Sequence, residues 1–226
     1  RDLEARRAQY DEAMTRLRAI PGVRSVAASG MTPLSGAAGS RFVRVEGYQE
    51  PHVDRRRLFL NTVTPNYFAT YDTPIVAGRD FRDSDTAHPR RVIVNQAMAR
   101  RYWPDGDPLK DRIRIGAGGP AFADPPRQIV GVVGDTRDAG ISRNPFPTRY
   151  IPIAQMPDAQ TALNSRAVPL WWIVRSRMDP YTLRAPIEAA LRDASGGLPV
   201  AGVRTMAEVE VRNTARQRFN MLFLTI

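Results

Sequence analysis

The chain has 226 residues, 42% of them hydrophobic, so it can form one large domain or two small ones with real cores. Cysteine is absent, which excludes disulfides, thiolate zinc sites and cysteine nucleophiles. The net charge is +10, and the 33 basic residues less the single lysine, Lys110, leave 32 arginines.

This arginine content does not indicate a nucleic-acid surface. The arginines are scattered beside Asp and Glu, and their longest clusters hold three or four residues, as in Arg55-Arg56-Arg57. Aromatic residues do not alternate with them as they do in a stacking platform. We therefore expect no nucleic-acid partner, and the bias towards arginine fits GC-rich coding.

The first part of the chain begins with a predicted amphipathic helix over 2–20, which Pro21-Gly22 stops. A Gly- and Ser-rich loop is predicted at 32–40. Strands are predicted on both sides of this loop, at 23–30, 41–48 and 55–63. A short helix, "NYFATY", follows with Thr64 as its N-cap and Pro65 at its first position.

The middle of the chain is rich in predicted strands, which lie at 92–94, 111–116, 127–135 and 148–155. The first of them leads into a helix that Asn95 caps and that ends before Pro104. The last is predicted to be an edge or irregular strand, because Pro152 cannot donate to a ladder.

In the last part, the sequence predicts a polar loop at 156–169, a strand at 171–176, a helix at 179–197, a closing strand at 198–206 and a final helix from about Ala207. Asp179 is the predicted cap of the first helix, and Pro186 is expected to kink or restart it. Side chains alternate across a strand, so one of Trp171-Trp172 is expected in the core and the other towards solvent or a neighbouring subunit.

The strongest candidate for chemistry is an acidic stretch that contains Asp72, Asp80, Asp83 and Asp85. A calcium loop needs ligands at alternating positions and a closing Glu, and only Asp83-Ser84-Asp85 approaches that spacing. Arg79 and Arg82 interleave with the acids. The pattern favours aspartates that cap turns and pair with these arginines, with a metal loop as the alternative.

No other residues make a catalytic or cofactor constellation. His52 and His88 each lie in a polar loop without a second ligand at helical spacing, which argues against zinc. The segment 116–120 lacks the Lys-Ser/Thr pair of a phosphate cradle, and Ser35 has neither a Gly-x-Ser-x-Gly context nor a triad partner. We expect no catalytic residue, metal or cofactor.

Three long segments carry a family pattern: "VTPNYFATYDTPIVAGRDFRDSD" (63–85), "RVIVNQAMARRYWPDGDPLKDRIRIG" (91–116) and "RQIVGVVGDTRD" (127–138). They resemble the MacB-type periplasmic core domain, the extracytoplasmic part of FtsX/MacB-like ABC transporter permeases. The matching motif residues are Tyr67, Phe68, Gly78, Arg79, Phe81, Asn95, Tyr102, Trp103, Pro104, Asp107, Pro108, Gly131 and Gly134.

Two short segments depart from the pattern. Tyr71-Asp72-Thr73 stands where relatives place a Leu-Gly-Ile-like triplet, and Lys110-Asp111-Arg112 replaces a common Gly-Lys-Arg. Both are changes at the level of loops.

The resemblance implies an α+β fold with a porter-like β-α-β subdomain, formed by 1–71 and 161–212. A strand-rich, Sabre-like subdomain would be inserted at 72–160. Helices at both ends would lead to the membrane, with 213–226 as the start of a transmembrane helix and the chain a piece of a longer protein.

The resemblance also implies a non-catalytic domain on the periplasmic side of the inner membrane, which transmits ATP-driven helix motion outwards for export or signalling. Its partners would be the membrane, a cytoplasmic ABC ATPase, a second permease copy, and a periplasmic adaptor or lipoprotein. Two alternatives stay open. A stand-alone ligand- or adaptor-binding module would lack flanking transmembrane helices, and an enzyme would bring Asp80, Asp83 and Asp85 together in a pocket.

Overall fold

A computed structural model of the chain describes residues 2–31, 43–45, 59–85, 89–115, 124–137, 144–156 and 170–212. The helices are α1 (Asp2–Arg18), α2 (Tyr67–Thr70), α3 (Gln96–Tyr102), α4 (Arg184–Ala194) and a last helix whose described part is 206–212. The strands are β1 (Val23–Ser29), β2 (Val43–Val45), β3 (Phe59–Val63), β4 (Ile75–Gly78), β5 (Arg91–Asn95), β6 (Arg112–Ile115), β7 (Arg127–Val133), β8 (Thr148–Pro152) and β9 (Trp171–Ser176). The α+β class is confirmed, with helices near both ends of the described chain.

In the described residues the strands form one sheet in the order β2-β6-β7-β5-β8-β3-β1-β9, and β4 pairs with β7 beside this path. The connection between β3 and β1 is narrow, because a single register pair, Ser29 with Val63, joins them. Backbone hydrogen bonds from Gly30 to Thr62 (2.9 Å) and from Thr64 to Ala28 (3.0 Å) flank that pair. The sheet therefore has two parts: β1 with β9, and the strands from β3 to β2.

Each part of the sheet has its own core. On the β1–β9 part, Leu17 of α1, Val26 of β1 and Leu191 of α4 belong to one buried cluster. On the other part, Val94, Met98 and Ile129 belong to a second cluster. The third cluster contains residues from both parts, namely Ala27, Val63, Tyr67, Phe68, Phe81, Ile93, Val133 and Tyr150. Its aromatic rings pack edge-on, as in Phe68 with Tyr150, whose ring centroids are 4.9 Å apart.

Asn95 begins α3 as predicted and also binds a neighbouring strand. Its side-chain oxygen accepts from the backbone of Met98 (3.0 Å) and of Thr148 (2.8 Å), and its amide donates to the carbonyl of Phe146 (2.9 Å). A cap satisfies one of the free N–H groups at the start of a helix. Because Asn95 is fully buried, this residue fixes α3 and β8 together.

The predicted role of Thr64 as a helix cap is wrong. Helix α2 begins after Asn66, whose backbone is left-handed (φ 66°) and whose side chain makes no capping bond. The Thr64 hydroxyl instead accepts from the backbone N–H of Ala28 at 2.8 Å. This hydroxyl therefore strengthens the connection between β1 and β3.

Two further predictions about strands are wrong, and the alternative left open for Pro186 is resolved. The segment 148–155 is not an edge strand: β8 lies between β5 and β3, and Pro152 is only its last residue. The predicted closing strand is not formed, since 198–204 carry no strand pairing. Pro186 lies in the first turn of α4, directly after a 3-10 turn that Asp179 caps, so it restarts the helix without removing a needed donor.

Part of the sequence prediction concerns residues outside those described. The Gly- and Ser-rich loop at 32–40, most of the polar loop after Met156 and the transmembrane segment expected at 213–226 fall there. In the part of the chain that is described, no helix combines the length and the apolarity needed to cross a bilayer.

The contact between β4 and β7 has room only for glycine. Gly78 pairs with Gly131 across the two strands, and a Cβ on Gly131 would overlap the carbonyl oxygen of Arg79. Gly78 itself has a left-handed backbone (φ 71°), which glycine adopts without strain.

We expect Gly131→Ala to lower the free energy of unfolding by about 3 kcal/mol, because backbone atoms cannot move aside as a flexible side chain can. Gly106→Ala is the matched control, since its added Cβ would lie 3.7 Å from Trp103, an ordinary contact distance. Urea unfolding followed by tryptophan fluorescence measures both variants. Equal stability of the two would contradict this account of the β4–β7 contact.

Candidate functional site

The aspartates of the acidic stretch lie before and after β4, the strand that follows α2 in the chain. β4 lies against the carboxyl-terminal half of β7, and Pro74 before it accepts a hydrogen bond from Gly134 at 2.9 Å. Its own four residues are all exposed. The candidate site therefore consists of the two ends of β4 and the groups that hold them.

At the end of β4, Arg79 and Asp85 form a two-point ion pair. The guanidinium nitrogens of Arg79 lie 2.7 and 3.1 Å from the two carboxylate oxygens of Asp85. The same carboxylate accepts from the backbone N–H of Arg82 at 2.9 Å. Asp85 is buried, so this pair closes residues 79–85 into a compact turn.

The surroundings of Asp85 favour its ionised form. Burial by itself would raise the pKa of Asp85, but the hydrogen bonds from Arg79 and from the Arg82 backbone, with the charges of Arg79 and Arg91, together lower it. The hydrogen bond to Asp85 likewise raises the pKa of Arg79. Both groups are therefore charged in the folded protein at neutral pH.

A fully buried arginine lies behind this turn, and sequence reasoning did not find it. Arg127, at the start of β7, binds Asp124 through two hydrogen bonds of 2.5 and 3.0 Å. It also donates to the side-chain oxygen of Gln155 at 3.1 Å and to the Gln155 carbonyl at 2.9 Å. Burial lowers the pKa of Arg127, and these acceptors compensate for the loss of water.

Gln155 connects the two ion pairs. Its side-chain amide nitrogen donates to the backbone carbonyl oxygen of Asp85 at 3.2 Å, and its side-chain oxygen accepts from the backbone N–H of Arg91 at 2.8 Å. The only signal in the sequence for the buried ion pair was Asp124, three residues before Arg127 at the start of a strand. Gln155 was assigned to the end of a strand, so nothing placed it beside them.

The other aspartates of the stretch serve separate purposes. Asp80 accepts from the backbone of Phe81 at 2.6 Å, and burial raises its pKa. Asp83 is exposed. Asp72 pairs with Arg175 of β9 instead of with Arg79 or Arg82. The predicted pairing is therefore confirmed for Asp85 with Arg79, whereas Arg82 donates to Asp85 only through its backbone N–H.

The described residues give no support to the metal alternative. Among them, no three His, Asp or Glu side chains are placed together so that they could hold an ion. Ser35, His52 and His88 lie outside the described residues.

The remaining motif residues hold the fold together. Tyr102, the last residue of α3, is buried in the same cluster as Met98 and Ile129, and the indole N–H of Trp103 donates to Asp111. Pro104 follows the end of α3 and is exposed. Asp107 accepts from the backbone of Leu109 at 3.0 Å and so caps the 3-10 turn that begins at Pro108.

The last helix starts with a reciprocal cap that sequence reasoning missed. Thr205 accepts from the backbone of Glu208 at 3.2 Å, while Glu208 accepts from the backbone of Thr205 at 2.8 Å. The Thr-x-x-Glu spacing is the signal that predicts such a box. The backbone hydrogen bond from Thr205 lowers the pKa of Glu208, and the Tyr181 hydroxyl, 3.2 Å away, ties the helix to the turn before α4.

Comparison with known proteins gives one consistent result. The family model of the MacB-like periplasmic core domain matches residues 3–194. No curated protein sequence matches the chain.

Several solved structures have a similar fold. The extracellular domain of the noncanonic ABC-type transporter YknZ from Gram-positive bacteria is 19% identical, with a TM-score of 0.53 over 84% of this chain and 85% of that one. The periplasmic region of MacB from Actinobacillus actinomycetemcomitans is 14% identical, with a TM-score of 0.55 over 81% and 73%. A domain of a putative permease from Porphyromonas gingivalis is 20% identical, with a TM-score of 0.53 over 81% and 75%.

The Arg79–Asp85 pair predicts a pH dependence of stability. The pKa of Asp85 lies below its ordinary value of 3.8, so the pair stabilises the fold above that pH and the stabilisation is lost as the pH falls below it. We expect Asp85→Asn to cost about 2 kcal/mol at pH 7, and the cost to shrink below about pH 4. Urea unfolding at a series of pH values measures this difference.

Asp83→Asn, which removes an exposed carboxylate two residues away, is the control and should change stability little at any pH. A cost for Asp85→Asn that stays constant between pH 7 and pH 3 would show that the charge of Asp85 is not what stabilises the turn.

Proposed function

The chain belongs to the MacB-like periplasmic core domain family, as the extracytoplasmic domain of a MacB/FtsX-like ABC transporter permease, and we propose that it is a mechanical transmitter. In this proposal, ATP-driven movement of the flanking membrane helices changes the separation of the helices at the two ends of the domain. The domain converts that change into motion of its strand-rich part for export or signalling.

The narrow connection between β1 and β3 is the observation that carries the proposal. α1 and α4 pack on the β1–β9 part, so a displacement of α1 moves that part as a body. Within the sheet, one register pair, Ser29 with Val63, and the hydrogen bonds that flank it link this part to the larger part, and one shared core cluster contains residues of both. Rigid bodies joined by a short connection favour hinge motion over continuous bending.

We propose the subdomain division that the sequence predicts, with 1–71 and 161–212 as the porter-like subdomain and 72–160 as the insert. The common core of α1, β1, β9 and α4 supports the porter-like subdomain. β2 and β3 belong to the porter-like part by sequence, and they pair with β6 and β8 of the insert. The sheet thus extends across the proposed boundary.

The proposed partners follow from the same role. A transmitter needs a source of work, which we propose is a cytoplasmic ABC ATPase that acts through the membrane helices flanking the domain. We also propose a second permease copy, and a periplasmic adaptor or lipoprotein that the insert contacts. The domain itself has no catalytic duty in this scheme.

A reversible cross-link between the two end helices tests the proposal. Cysteines introduced near Leu3 of α1 and Val209 of the last helix have no native thiol to compete with them. We expect the cross-link to slow ATP hydrolysis by the intact permease–ATPase complex about tenfold or more, because roughly 1.4 kcal/mol added to one obligatory step has that effect. Reduction of the cross-link should restore the rate.

Cysteines at Arg184 and Glu188 provide a matched control. These residues form an ion pair of 3.0 Å within α4, so the same cross-linker spans one helical turn without joining moving parts. Hydrolysis that continues unchanged with the end helices fully cross-linked would refute mechanical transmission.

A further inference from the structure

A second Arg–Asp pair lies at the other end of β4 and differs from the first in exposure. The Arg175 guanidinium binds the two carboxylate oxygens of Asp72 with two nitrogens and also reaches the carbonyl oxygen of Ala69, 3.4 Å away. The Asp72 side chain is 70% exposed, whereas that of Asp85 is 8% exposed. β4 is therefore held by a buried pair after it and an exposed pair before it.

The Asp72–Arg175 pair joins β9 to the segment that leads from α2, which contacts β1 and β9, into β4 on the larger part of the sheet. Arg175 belongs to β9, the edge strand next to β1, while Asp72 follows α2 and precedes β4, which lies on β7. Arg175 is opposite Ser25, and the connection to β3 is at Ser29. Four residues along a strand span about 13 Å, so the pair lies well away from the connection and would part if the two sheet parts rotated about it.

The backbone at Asp72 works against the pair. Asp72 has a left-handed conformation (φ 54°), which non-glycine residues adopt at a cost and which Asp tolerates better than most. Asn66, at the other end of α2, is also left-handed (φ 66°). α2 is thus flanked by two residues whose backbones relax if the local contacts release them.

The electrostatic surroundings act in favour of the pair. The hydrogen bond from Arg175 is the main cause that lowers the pKa of Asp72, and the charge of Arg24 on β1 adds to it. Because the Asp72 side chain is 70% exposed and that of Arg175 is 34% exposed, salt screens their attraction more than it screens a buried pair. The left-handed backbone strain at Asp72 therefore opposes its attraction to Arg175, and added salt weakens that attraction.

We propose that Asp72 and Arg175 form a releasable clasp between β9 and the segment that leads into β4, while the buried Arg79–Asp85 pair stays closed within the larger part of the sheet. With the clasp closed, the β1–β9 part is held to the segment that leads into β4. With the clasp open, Asp72 leaves the left-handed conformation and the two parts turn about the Ser29–Val63 connection. The clasp would gate the transmission proposed above and rests on that proposal for its purpose.

The test measures distance in the 226-residue chain itself, so it can fail while mechanical transmission still holds. The chain has no cysteine, so spin labels can be attached at cysteines that replace Ala189 of α4 and Lys110, both exposed residues. These two positions lie on different parts of the sheet. Pulsed electron spin resonance then gives the distribution of distances between the labels.

At low salt the wild-type background should give one main distance. Asp72→Asn, which keeps the side-chain shape and tolerates the left-handed backbone, should raise a second distance severalfold, and Arg175→Gln should do the same. Asp72→Gly also removes the carboxylate and relieves the strain, so it keeps the test valid if Arg175→Gln does not fold. Raising sodium chloride from about 0.05 M to about 0.5 M should produce the second distance in the wild type, and should have little effect in Asp72→Gly.

Asp83→Asn is the control, because it removes an exposed carboxylate from the same stretch and should leave the wild-type distribution intact. Distributions for Asp72→Asn and Asp72→Gly that match the wild type would overturn the clasp. So would a second distance that Asp83→Asn produces equally, or a wild-type distribution that does not respond to salt.

Discussion

The backbone contact between Gly78 and Gly131 is the constraint on which the rest of the site depends. Because both residues are glycines and carry no Cβ, β4 lies close enough to β7 for the Arg79 N–H to bond to the carbonyl of Val130 at 2.9 Å. That position sets the direction in which the Arg79 side chain leaves the strand. The ion pair with Asp85, and through Gln155 the buried Arg127, follow from it.

The two ends of β4 have different physical roles because water reaches them differently. A buried pair loses its hydration on folding, so it holds only when every donor and acceptor is satisfied, and breaking one side is costly. Asp85 meets this condition with Arg79 and the Arg82 backbone. An exposed pair contributes little on average and is easily replaced by solvent and ions. Asp72 with Arg175 is of this second kind, which suits a contact that must open.

Much of the fold was accessible from the sequence because local signals determine it. Asn95 before a helical run predicts a cap, and the cap is present. The apolar spacing from Leu183 to Ala194 predicts the buried face of α4, and Leu183, Ile187, Leu191 and Ala194 are buried. The motifs around "YF", "GRDF" and "IVGVVGD" also led to the correct family.

Contacts between distant segments were not accessible in this way. Thr64 has every local feature of a cap, yet a strand thirty-six residues earlier in the chain takes its hydroxyl. Asp72 was assigned to nearby arginines, and its partner is 103 residues away. The segment 198–204 has the composition of a strand, but strand formation also needs an open edge in register, which no local pattern specifies. These misses share one cause: tertiary partners compete with local ones.

Native-state hydrogen exchange of single backbone amides tests the central claim most directly, namely that β4 has one fixed and one releasable end. We expect the amide of Arg79, which bonds to Val130, to exchange only through global unfolding, with the full free energy of unfolding. The amides of Asp72 and Thr73 should exchange through a local opening of much lower free energy, which salt lowers further. Equal protection at both ends of β4, unaffected by salt, would contradict the account.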